Sequence, residues 1–218
     1  MRLLITFGPS YEPLDGARRL TNMSTGRLGT ELANAFWAAG WHVHCLRGEG
    51  SSFLGPLHVR DLETFTTNDD LAGRLERLSR AEPFDVVLHA AALCDYRVSR
   101  VFGADGQEIM SPKIATRNGR LTLELEPAAK LLPKLRSWFS TARLVGWKYE
   151  LAGTQLEALE MAWRQVRQNR IDACVLNGAA YGPGFAVCRE GGTVSACRDS
   201  VELAEWLLEW LGGHVSAY

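Results

Sequence analysis

The sequence lacks the features that mark several classes of protein. Its 218 residues carry 24 Lys and Arg against 25 Asp and Glu, a net charge of −1, so it has no basic excess of the kind that nucleic-acid binders show. No apolar run approaches the roughly 20 residues that a membrane span needs. Residues 1–7 are followed at once by Gly-Pro, so we predict a first strand there and no signal peptide. No nucleic-acid or membrane partner is expected.

The cysteines are few, and no two of them form a C-x-x-C pair. There are five, and Cys45, Cys94 and Cys174 lie in or beside apolar runs. We therefore expect buried, reduced thiols in a cytoplasmic protein, and neither a disulfide framework nor a zinc site. His42 and His44 alternate along a predicted strand and share a face, but no third ligand is spaced to join them. No metal site is predicted.

Internal repeats and low-complexity tracts are also lacking, and residues 1–218 are predicted to form a single domain. Short apolar runs alternate with helical patterns. Strands are predicted at 3–7, 42–46, 62–65, 85–92, 121–125, 143–147, 173–177, 185–189 and 193–197, and helices at 24–39, 67–79, 128–139, 155–169 and 200–211. This order predicts an α/β fold with a Rossmann-like, mostly parallel sheet flanked by helices, and ligand sites at the carboxyl ends of the strands.

Three stretches depart from the alternation. Residues 97–113 show no clear period and contain Gly and Pro, so we predict a long connection that acts as a lid or binding loop. The hairpin at 185–197 and the strand at 121–125 are expected to stand apart as a small antiparallel arm, of a kind that often crosses to a second subunit. Residues 11–19 are predicted to form a polar loop.

Residues 21–29, TNMSTGRLG, join the first strand to the first helix. Asn22 and Ser24 carry side-chain oxygens that can cap the free N–H groups of a helix. Gly26 and Gly29 allow close approach of a ligand or tight packing of the helix on a strand. The same features suit a phosphate cradle and an ordinary capped helix, and the spacing alone leaves both readings open.

A specific resemblance follows from the order of several motifs. They are Glu12-Pro13-Leu14-Asp15, Arg18, T-N-x-S-T-G-x-x-G at 21–29, A-A-A-L-C-D-Y-R at 90–97, Lys113-Ile114, V-G-W at 145–147 and a strand ending in Asn177. This order resembles the phosphopantothenoylcysteine synthetase (phosphopantothenate–cysteine ligase) family of coenzyme A biosynthesis, in its stand-alone form without the flavin-dependent decarboxylase domain. The resemblance covers nearly the whole chain.

The resemblance implies a two-step ligation. A nucleoside triphosphate, CTP in bacteria or ATP in animals, converts the carboxylate of 4′-phosphopantothenate to an acyl-nucleotidylate and releases pyrophosphate. The amine of cysteine then displaces the nucleotide. Such chemistry needs anions held together and their charge stabilised, with Mg²⁺ bridging phosphate oxygens. The resemblance also implies a homodimer, and a mobile flap at about residues 97–120.

The resemblance assigns roles to residues by position. Asn22, Lys113 and Arg18 would be catalytic. The nucleotide would be bound by Gly8, Ser24, Gly26, Gly29, Ala90, Asp95, Trp147 and Asn177, and the substrate by Asn22, Ala91, Ala92 and Asp95. Each has a structural alternative: a helix cap for Asn22 or Asp95, a surface ion pair for Arg18, a loop lysine for Lys113 and core packing for Trp147.

The chain departs from the family pattern at cationic positions. Gly8-Pro9-Ser10-Tyr11 stands where the family has Gly-Gly-Thr-Arg, and Gln165 and Asn169 stand where bacterial members carry two lysines of the nucleotide site. Fewer charge-assisted contacts should weaken triphosphate binding. A divergent member that acts on another carboxylate, or lacks catalysis, is therefore an alternative. A Rossmann-type NAD(P) reductase is a third reading, but its G-x-x-G after Gly8 is missing.

Overall fold

The computed structural model describes residues 1–213, apart from the side chain of Asn118. In chain order the elements are β1 (Arg2–Pro9), β2 (Tyr11–Pro13), β3 (Arg19–Thr21), α1 (Arg27–Ala38), β4 (His42–Gly48), β5 (Asp61–Phe65), α2 (Asn68–Ala81), β6 (Val86–Ala92), β7 (Tyr96–Phe102), β8 (Thr122–Pro127), α3 (Leu132–Trp138), β9 (Arg143–Tyr149), α4 (Gln155–Asn169), β10 (Ala173–Gly178), β11 (Gly182–Arg189), β12 (Val194–Cys197) and α5 (Ser200–Gly212). The predicted α/β class is confirmed.

Eight of these strands form one sheet in the order β12-β11-β10-β9-β6-β1-β4-β5. The strands from β10 to β5 are parallel to their neighbours in that order. The chain leaves β1 toward β4 and β5, then returns to the other side of β1 as β6. The carboxyl ends of β1 and β6 therefore flank the switch point of the sheet, where α/β proteins place their ligands.

Helices cover both faces of the sheet. Helices α1 and α5 pack on one face through residues such as Phe36 and Leu207, whereas α2, α3 and α4 pack on the other through residues such as Leu75 and Ala162. The apolar run of β1 shows no alternation because both of its faces are buried. Within residues 1–213, no helix combines the length and the apolar character that crossing a bilayer requires.

The arm differs from the expectation in its composition. Residues 97–113 were predicted to be an irregular connection, but the first of them belong to β7, which pairs with β8 in a separate antiparallel sheet. An ion pair between Arg97 and Glu126 links the two strands, and Val101 of β7 is buried. The arm is therefore a two-stranded ribbon. The prediction placed the strand at 121–125, now β8, in the arm, but it did not include β7.

The hairpin predicted at 185–197 does not stand apart. It forms β11 and β12, which extend the main sheet, because β11 pairs antiparallel with β10 from Ala173 to Gly178. Residues 11–19 also differ from the predicted loop, since β2 and β3 pair as a short hairpin. The burial predicted for the cysteines is confirmed for Cys45 and Cys174, whereas Cys94 is half-buried.

A buried histidine lies beneath the switch point. His89 of β6 is opposite Thr6 of β1, and the Thr6 Oγ1 and His89 Nδ1 atoms are 2.7 Å apart. Burial lowers the pKa of His89 to about 4. Since the imidazole is neutral in the fold but titrates near pH 6.5 when unfolded, the unfolded chain binds the extra proton as the pH falls.

We predict a loss of stability in acid that depends on this histidine. The stabilisation is complete above pH 6.5 and is lost as the pH falls toward 4, so between pH 7 and pH 5 His89 should cost about 2 kcal/mol of unfolding free energy. His89→Gln should remove that portion of the pH dependence, as measured by urea unfolding at both values. Equal losses in the variant and the parent protein would contradict the assignment.

Candidate active site

The side chain of Asn22 is fixed at the carboxyl end of β6. Its Nδ2 donates to the carbonyl oxygen of Ala92 at 2.6 Å, and its Oδ1 accepts from the backbone N–H of Ser24 at 3.2 Å. One amide hydrogen and one lone pair remain for a ligand. Ala92 ends β6 and Asp95 follows three residues later, so Asn22 and Asp95 lie at the same end of the same strand.

A polar network that no sequence motif predicts supports this end of the sheet. Ser10 is fully buried, and its backbone N–H donates to the carbonyl oxygen of Ala92 at 3.0 Å. The Ser10 hydroxyl donates to Asn68 Oδ1 at 2.8 Å and accepts from the Cys94 N–H at 2.8 Å, and Asn68 Nδ2 donates to the carbonyl oxygen of Cys94 at 2.8 Å. These bonds tie β1, β6 and α2 together and hold the backbone that Asn22 contacts.

Asp95 lies at the rim of this end and forms an ion pair with Lys130. Its side chain is 71% exposed, and its carbonyl oxygen accepts from the N–H of Ala128 at 2.8 Å. The exposed carboxylate can therefore meet a ligand, and Lys130 brings a cation to the same place. Sequence reasoning missed Lys130, because only the pairing of β7 with β8 brings it back to the strand end.

The first helix begins later than predicted and without the expected cap. Neither Asn22 nor Ser24 caps it: the N-cap is Gly26, in a left-handed conformation with φ 80°, and it makes no side-chain cap bond. Asn22 is used instead for the long-range bond to Ala92. The first turn of α1 also holds no acidic residue. The N–H of Arg27 donates to the Thr25 Oγ1 at 3.3 Å, and the remaining N–H groups and the positive end of α1 meet no carboxylate of the first turn.

The other long helices contrast with α1. Within residues 1–213, α2, α4 and α5 each have a side-chain cap, from Thr67, Thr154 and Asp199 respectively, and each has an acidic residue in its first turn. Only α1, of the helices with twelve or more residues in this range, has neither. An anion would supply what the chain does not, and this favours the phosphate-cradle reading of residues 21–29.

The predicted glycines have different surroundings. Gly8 and Gly26 both have φ near 80° and lie against the hydroxyl of Ser51, which a Cβ on either residue would crowd. That hydroxyl is buried and finds no hydrogen-bond partner within residues 1–213. Gly29 lies against Phe7 of β1, so it serves the packing of α1 on the sheet. Gly8 and Gly26 remain candidates for phosphate contact.

Three further predicted residues share one face and one end of the sheet. Ala90, Trp147 and Asn177 each lie two positions beyond a core residue of the α1 face, on β6, β9 and β10. Trp147 packs partly against the α1-side core, and its buried Nε1–H finds no acceptor within residues 1–213. The face above α1 therefore combines an aromatic ring with an unused donor. Ala91 has the opposite parity and faces α2 and α3.

Lys113 lies in a segment that the loop after β2 holds. The N–H of Gly16 donates to the carbonyl oxygen of Pro112 at 2.8 Å, and the N–H of Ile114 donates to Asp15 Oδ2 at 3.0 Å. Arg18 donates to the carbonyl oxygen of Ile114 and to Asp15 Oδ2, each at 2.5 Å. The Lys113 side chain is exposed. Arg18 thus anchors this segment here, and its contact with an anion stays a prediction.

The carboxylate of Asp15 is the centre of that anchor, and its side chain is only 1% exposed. The guanidinium of Arg18 and the N–H groups of Ile114 and Ala17 hold the pKa of Asp15 well below its usual range. The carboxylate is therefore ionised at neutral pH, and the contribution of the anchor would be lost only as the pH falls below about 4.

Removing this carboxylate should release the segment that carries Lys113. We expect Asp15→Ala to speed hydrogen exchange of the Ile114 amide by at least about tenfold, because a hydrogen bond to a charged acceptor is lost. Asp105→Ala is the matched control, since the Asp105 carboxylate accepts from the N–H of Gln107 in the turn of the arm and forms no hydrogen bond with the segment of Lys113 within residues 1–213. Unchanged protection of Ile114 in Asp15→Ala would show that other contacts hold the segment.

Gln165 and Asn169 are placed away from the face that carries Trp147. Both lie on α4, and Gln165 Nε2 donates to the carbonyl oxygen of Trp147 at 3.1 Å and lies 3.2 Å from the Cys174 Sγ. Asn169 donates to the carbonyl oxygen of Gln165 at 2.8 Å, near the end of α4. Gln165 therefore joins α4 to the sheet, whereas the bond of Asn169 lies within α4.

The fold and the site together define a Rossmann-like α/β protein with a group of polar side chains at the switch point of its sheet. Residues 1–206 match the family described as "DNA/pantothenate metabolism flavoprotein C-terminal domain", and the chain belongs to this family. The membership confirms the resemblance read from the motifs and argues against the reductase alternative.

Curated relatives of the chain include two proteins named "Coenzyme A biosynthesis bifunctional protein CoaBC". The chain is 28% identical to that of Thermococcus kodakarensis over 177 residues, which cover 81% of the chain and 41% of the relative. It is 29% identical to that of Bacillus subtilis over 185 residues, covering 84% of the chain and 42% of the relative. The chain thus spans about two fifths of the length of these relatives.

Solved structures with the same fold include two from this group. The DNA/pantothenate metabolism flavoprotein from Streptococcus pneumoniae superposes with a TM-score of 0.84 at 21% identity, covering 98% of this chain and 99% of that one. The C-terminal domain of a CoaBC protein superposes with a TM-score of 0.74 at 24% identity, covering 96% and 93% of the two chains. At these identities the likeness establishes the fold.

Proposed function

We propose that the chain is a nucleotide-dependent ligase that joins 4′-phosphopantothenate to cysteine in coenzyme A biosynthesis. The carboxylate oxygen attacks the α-phosphorus of CTP or ATP, and pyrophosphate leaves. The amine of cysteine then attacks the acyl carbon, and the nucleoside monophosphate leaves. The family membership supports the reaction class, and a solved Cab2 structure with a TM-score of 0.73 has phosphopantothenate-cysteine bound.

The observation that carries this proposal is the pairing of two features at the switch point. The amide of Asn22 is held by the end of β6, and the adjacent α1 begins at Gly26, which has no capping side chain, with Thr25 bonding only the first N–H and no acidic residue in the first turn. A phosphate fits at this helix end, because its oxygens can accept hydrogen bonds from the free backbone N–H groups. The amide of Asn22 can then donate to an oxygen of the mixed anhydride without competing as a nucleophile.

The remaining residues take supporting roles in the proposal. The Ser51 hydroxyl and the Trp147 Nε1–H have no acceptor within residues 1–213, and they fit a ligand rich in acceptor oxygens. Asn177 lies at the end of β10, where it would reach the nucleotide. Asp95, exposed at the rim, would accept from hydroxyl or amide groups of phosphopantothenate. Ala91 and Ala92 leave room for that substrate at the end of β6.

Lys113 would supply a mobile positive charge to the reacting phosphates. A flexible stem suits the approach of an ammonium group to charge that develops late, and the segment around Lys113 is hydrogen-bonded to the loop after β2 at Asp15, Gly16 and Arg18. We propose that this segment, with the β7–β8 ribbon, is the flap of the family.

Magnesium would enter with the nucleotide. Within residues 1–213, no group of three His, Cys, Asp or Glu side chains is arranged to hold a metal ion. Bound to the triphosphate, Mg²⁺ would lower the charge of its oxygens while needing few protein ligands. We also propose a homodimer, and a cytoplasmic location that suits five free thiols.

Pyrophosphate release tests the proposed reaction. The purified chain is incubated with cysteine, 4′-phosphopantothenate and each nucleoside triphosphate in turn. We expect release with CTP or ATP only when phosphopantothenate is present, and not when pantothenate replaces it. No release with any nucleotide would contradict the ligase and favour a divergent member, whereas NAD(P)H turnover would favour the reductase.

A further inference from the structure

A second concave site lies at the amino ends of the parallel strands, opposite the carboxyl ends that form the proposed active site. Arg143 begins β9, Asp172 immediately precedes β10, and Arg189 ends the antiparallel strand β11, so all three lie where the parallel strands begin. They line a cavity of about 370 Å³. The six residues of β10 separate the amino ends of the strands from their carboxyl ends by about 20 Å.

Four arginines line this cavity, and they lack carboxylate partners. Arg143, Arg167, Arg170 and Arg189 form no ion pair with any carboxylate of residues 1–213. By contrast, neighbouring Arg136 donates to Asp172 at 2.7 Å. The same oxygen of Asp172, Oδ2, also accepts from the N–H of Leu144 at 2.7 Å, so this carboxylate is paired with Arg136 and the β9 backbone.

The side chains are held by packing. The guanidinium of Arg143 lies 5.4 Å from the Trp210 ring, and that of Arg189 lies 5.4 Å and 5.9 Å from the Trp206 and Trp210 rings. The Nε–H of Arg189 is buried and has no acceptor within residues 1–213. Stacking on an aromatic face orients a guanidinium without using its N–H donors. The two arginines are therefore pre-arranged for an acceptor.

The charges around the cavity leave it positive. Against the four guanidinium groups stand two carboxylates: Asp172, which Arg136 already pairs, and Glu190 on the exposed rim. The buried Val166 and Ile171 close one wall. Planar guanidinium forks match the oxygens of phosphate bidentately, and several of them together suit a ligand with more than one negative charge.

We propose that this arginine cavity binds a small polyanion that carries phosphate groups, with pyrophosphate the simplest example. The cavity volume falls in the range of small-molecule sites. The site is separate from the cleft of the ligase proposal, so either can fail without the other.

Isothermal titration calorimetry with sodium pyrophosphate at constant ionic strength tests this site. Arg167→Gln and Arg189→Gln should each weaken binding by at least about tenfold, because each removes charge-assisted donors. Arg164→Gln is the matched control: it is exposed on the same helix as Arg167 but does not line the cavity. The dissociation constant of Arg164→Gln for pyrophosphate should stay within about twofold of that of the parent chain, because an exposed charge outside the cavity contributes little. Asn22→Ala should still bind pyrophosphate in the arginine cavity. This variant therefore distinguishes binding in the cavity from binding of pyrophosphate as a product at the proposed active site.

Several outcomes would overturn the proposal. The first is that the parent chain shows no measurable binding of pyrophosphate. The second is an equal loss of affinity in Arg164→Gln, which would indicate a general effect of charge. The third is unchanged affinity in both Arg167→Gln and Arg189→Gln. Citrate binding as tightly as pyrophosphate would overturn the assignment to phosphate. Arg167 is exposed, so its substitution should leave the fold intact and keep the test decisive even if Arg189→Gln unfolds.

Discussion

Asn22→Ala is expected to lower the rate of phosphopantothenate-dependent pyrophosphate release by about 100- to 1000-fold, the usual effect of removing a positioned donor to a developing oxyanion. The substitution removes the donor and also the bonds to Ala92 and Ser24 that shape the loop before α1. The measurement is kcat with saturating nucleotide, accompanied by a thermal melt to show that the fold persists.

The neighbouring residue provides the control for this variant. Met23 is 98% exposed, so Met23→Ala changes the same loop without removing a contact and should keep the parental rate within about twofold. If Asn22→Ala retained the parental rate, Asn22 would serve only the loop conformation. If both variants lost activity equally, loop disturbance rather than the amide would be responsible.

Gly29→Ala is expected to destabilise the fold by roughly 3 kcal/mol, at the upper end of overpacking effects. A Cβ at this position would overlap the Cβ and Cγ of Phe7, a buried residue of β1 that has no room to move. Helix α1 would have to lift from the sheet. Urea unfolding at pH 7 gives the change in unfolding free energy.

A second helical glycine has the opposite expectation. A Cβ on Gly73 of α2 meets nothing within 4 Å, so Gly73→Ala should stabilise the fold by about 1 kcal/mol through helix propensity alone. Opposite signs for the two substitutions would confirm that contact with Phe7 decides the role of Gly29. Stabilisation by Gly29→Ala would contradict the close packing of α1 on β1.

The architecture could be read from the sequence where local pattern decides structure. The buried run of β1, the helix Gln155–Asn169 and the alternation of strands with helices all follow from burial on one or both faces. The placement of the 185–197 hairpin could not be read in this way. Its own alternation is the same whether it pairs with the edge of the sheet or stands apart, and only the bond pattern to β10 distinguishes the two.

The placement of Asn22 and Asp95 at one end of β6 could be read from their motifs, but the hydrogen bonds there could not. A helix cap was the structural alternative for Asn22, and it is wrong because the Asn22 amide binds a carbonyl 70 residues away. Ser10 and Lys130 were missed because each is an ordinary loop residue until the fold brings it to the end of β6. Long-range hydrogen bonds leave no local signal in a chain.

The most direct test of the ligase proposal follows the oxygen of the activated carboxylate. Phosphopantothenate labelled with ¹⁸O in its carboxylate is incubated with CTP or ATP and cysteine, and the nucleoside monophosphate is analysed by mass spectrometry. An acyl-nucleotidylate held in the cleft of Asn22 and Asp95 predicts one ¹⁸O in the phosphate of the monophosphate, because the acyl carbon–oxygen bond breaks in the second step. Label in inorganic phosphate, or product formed without label in the monophosphate, would contradict the account.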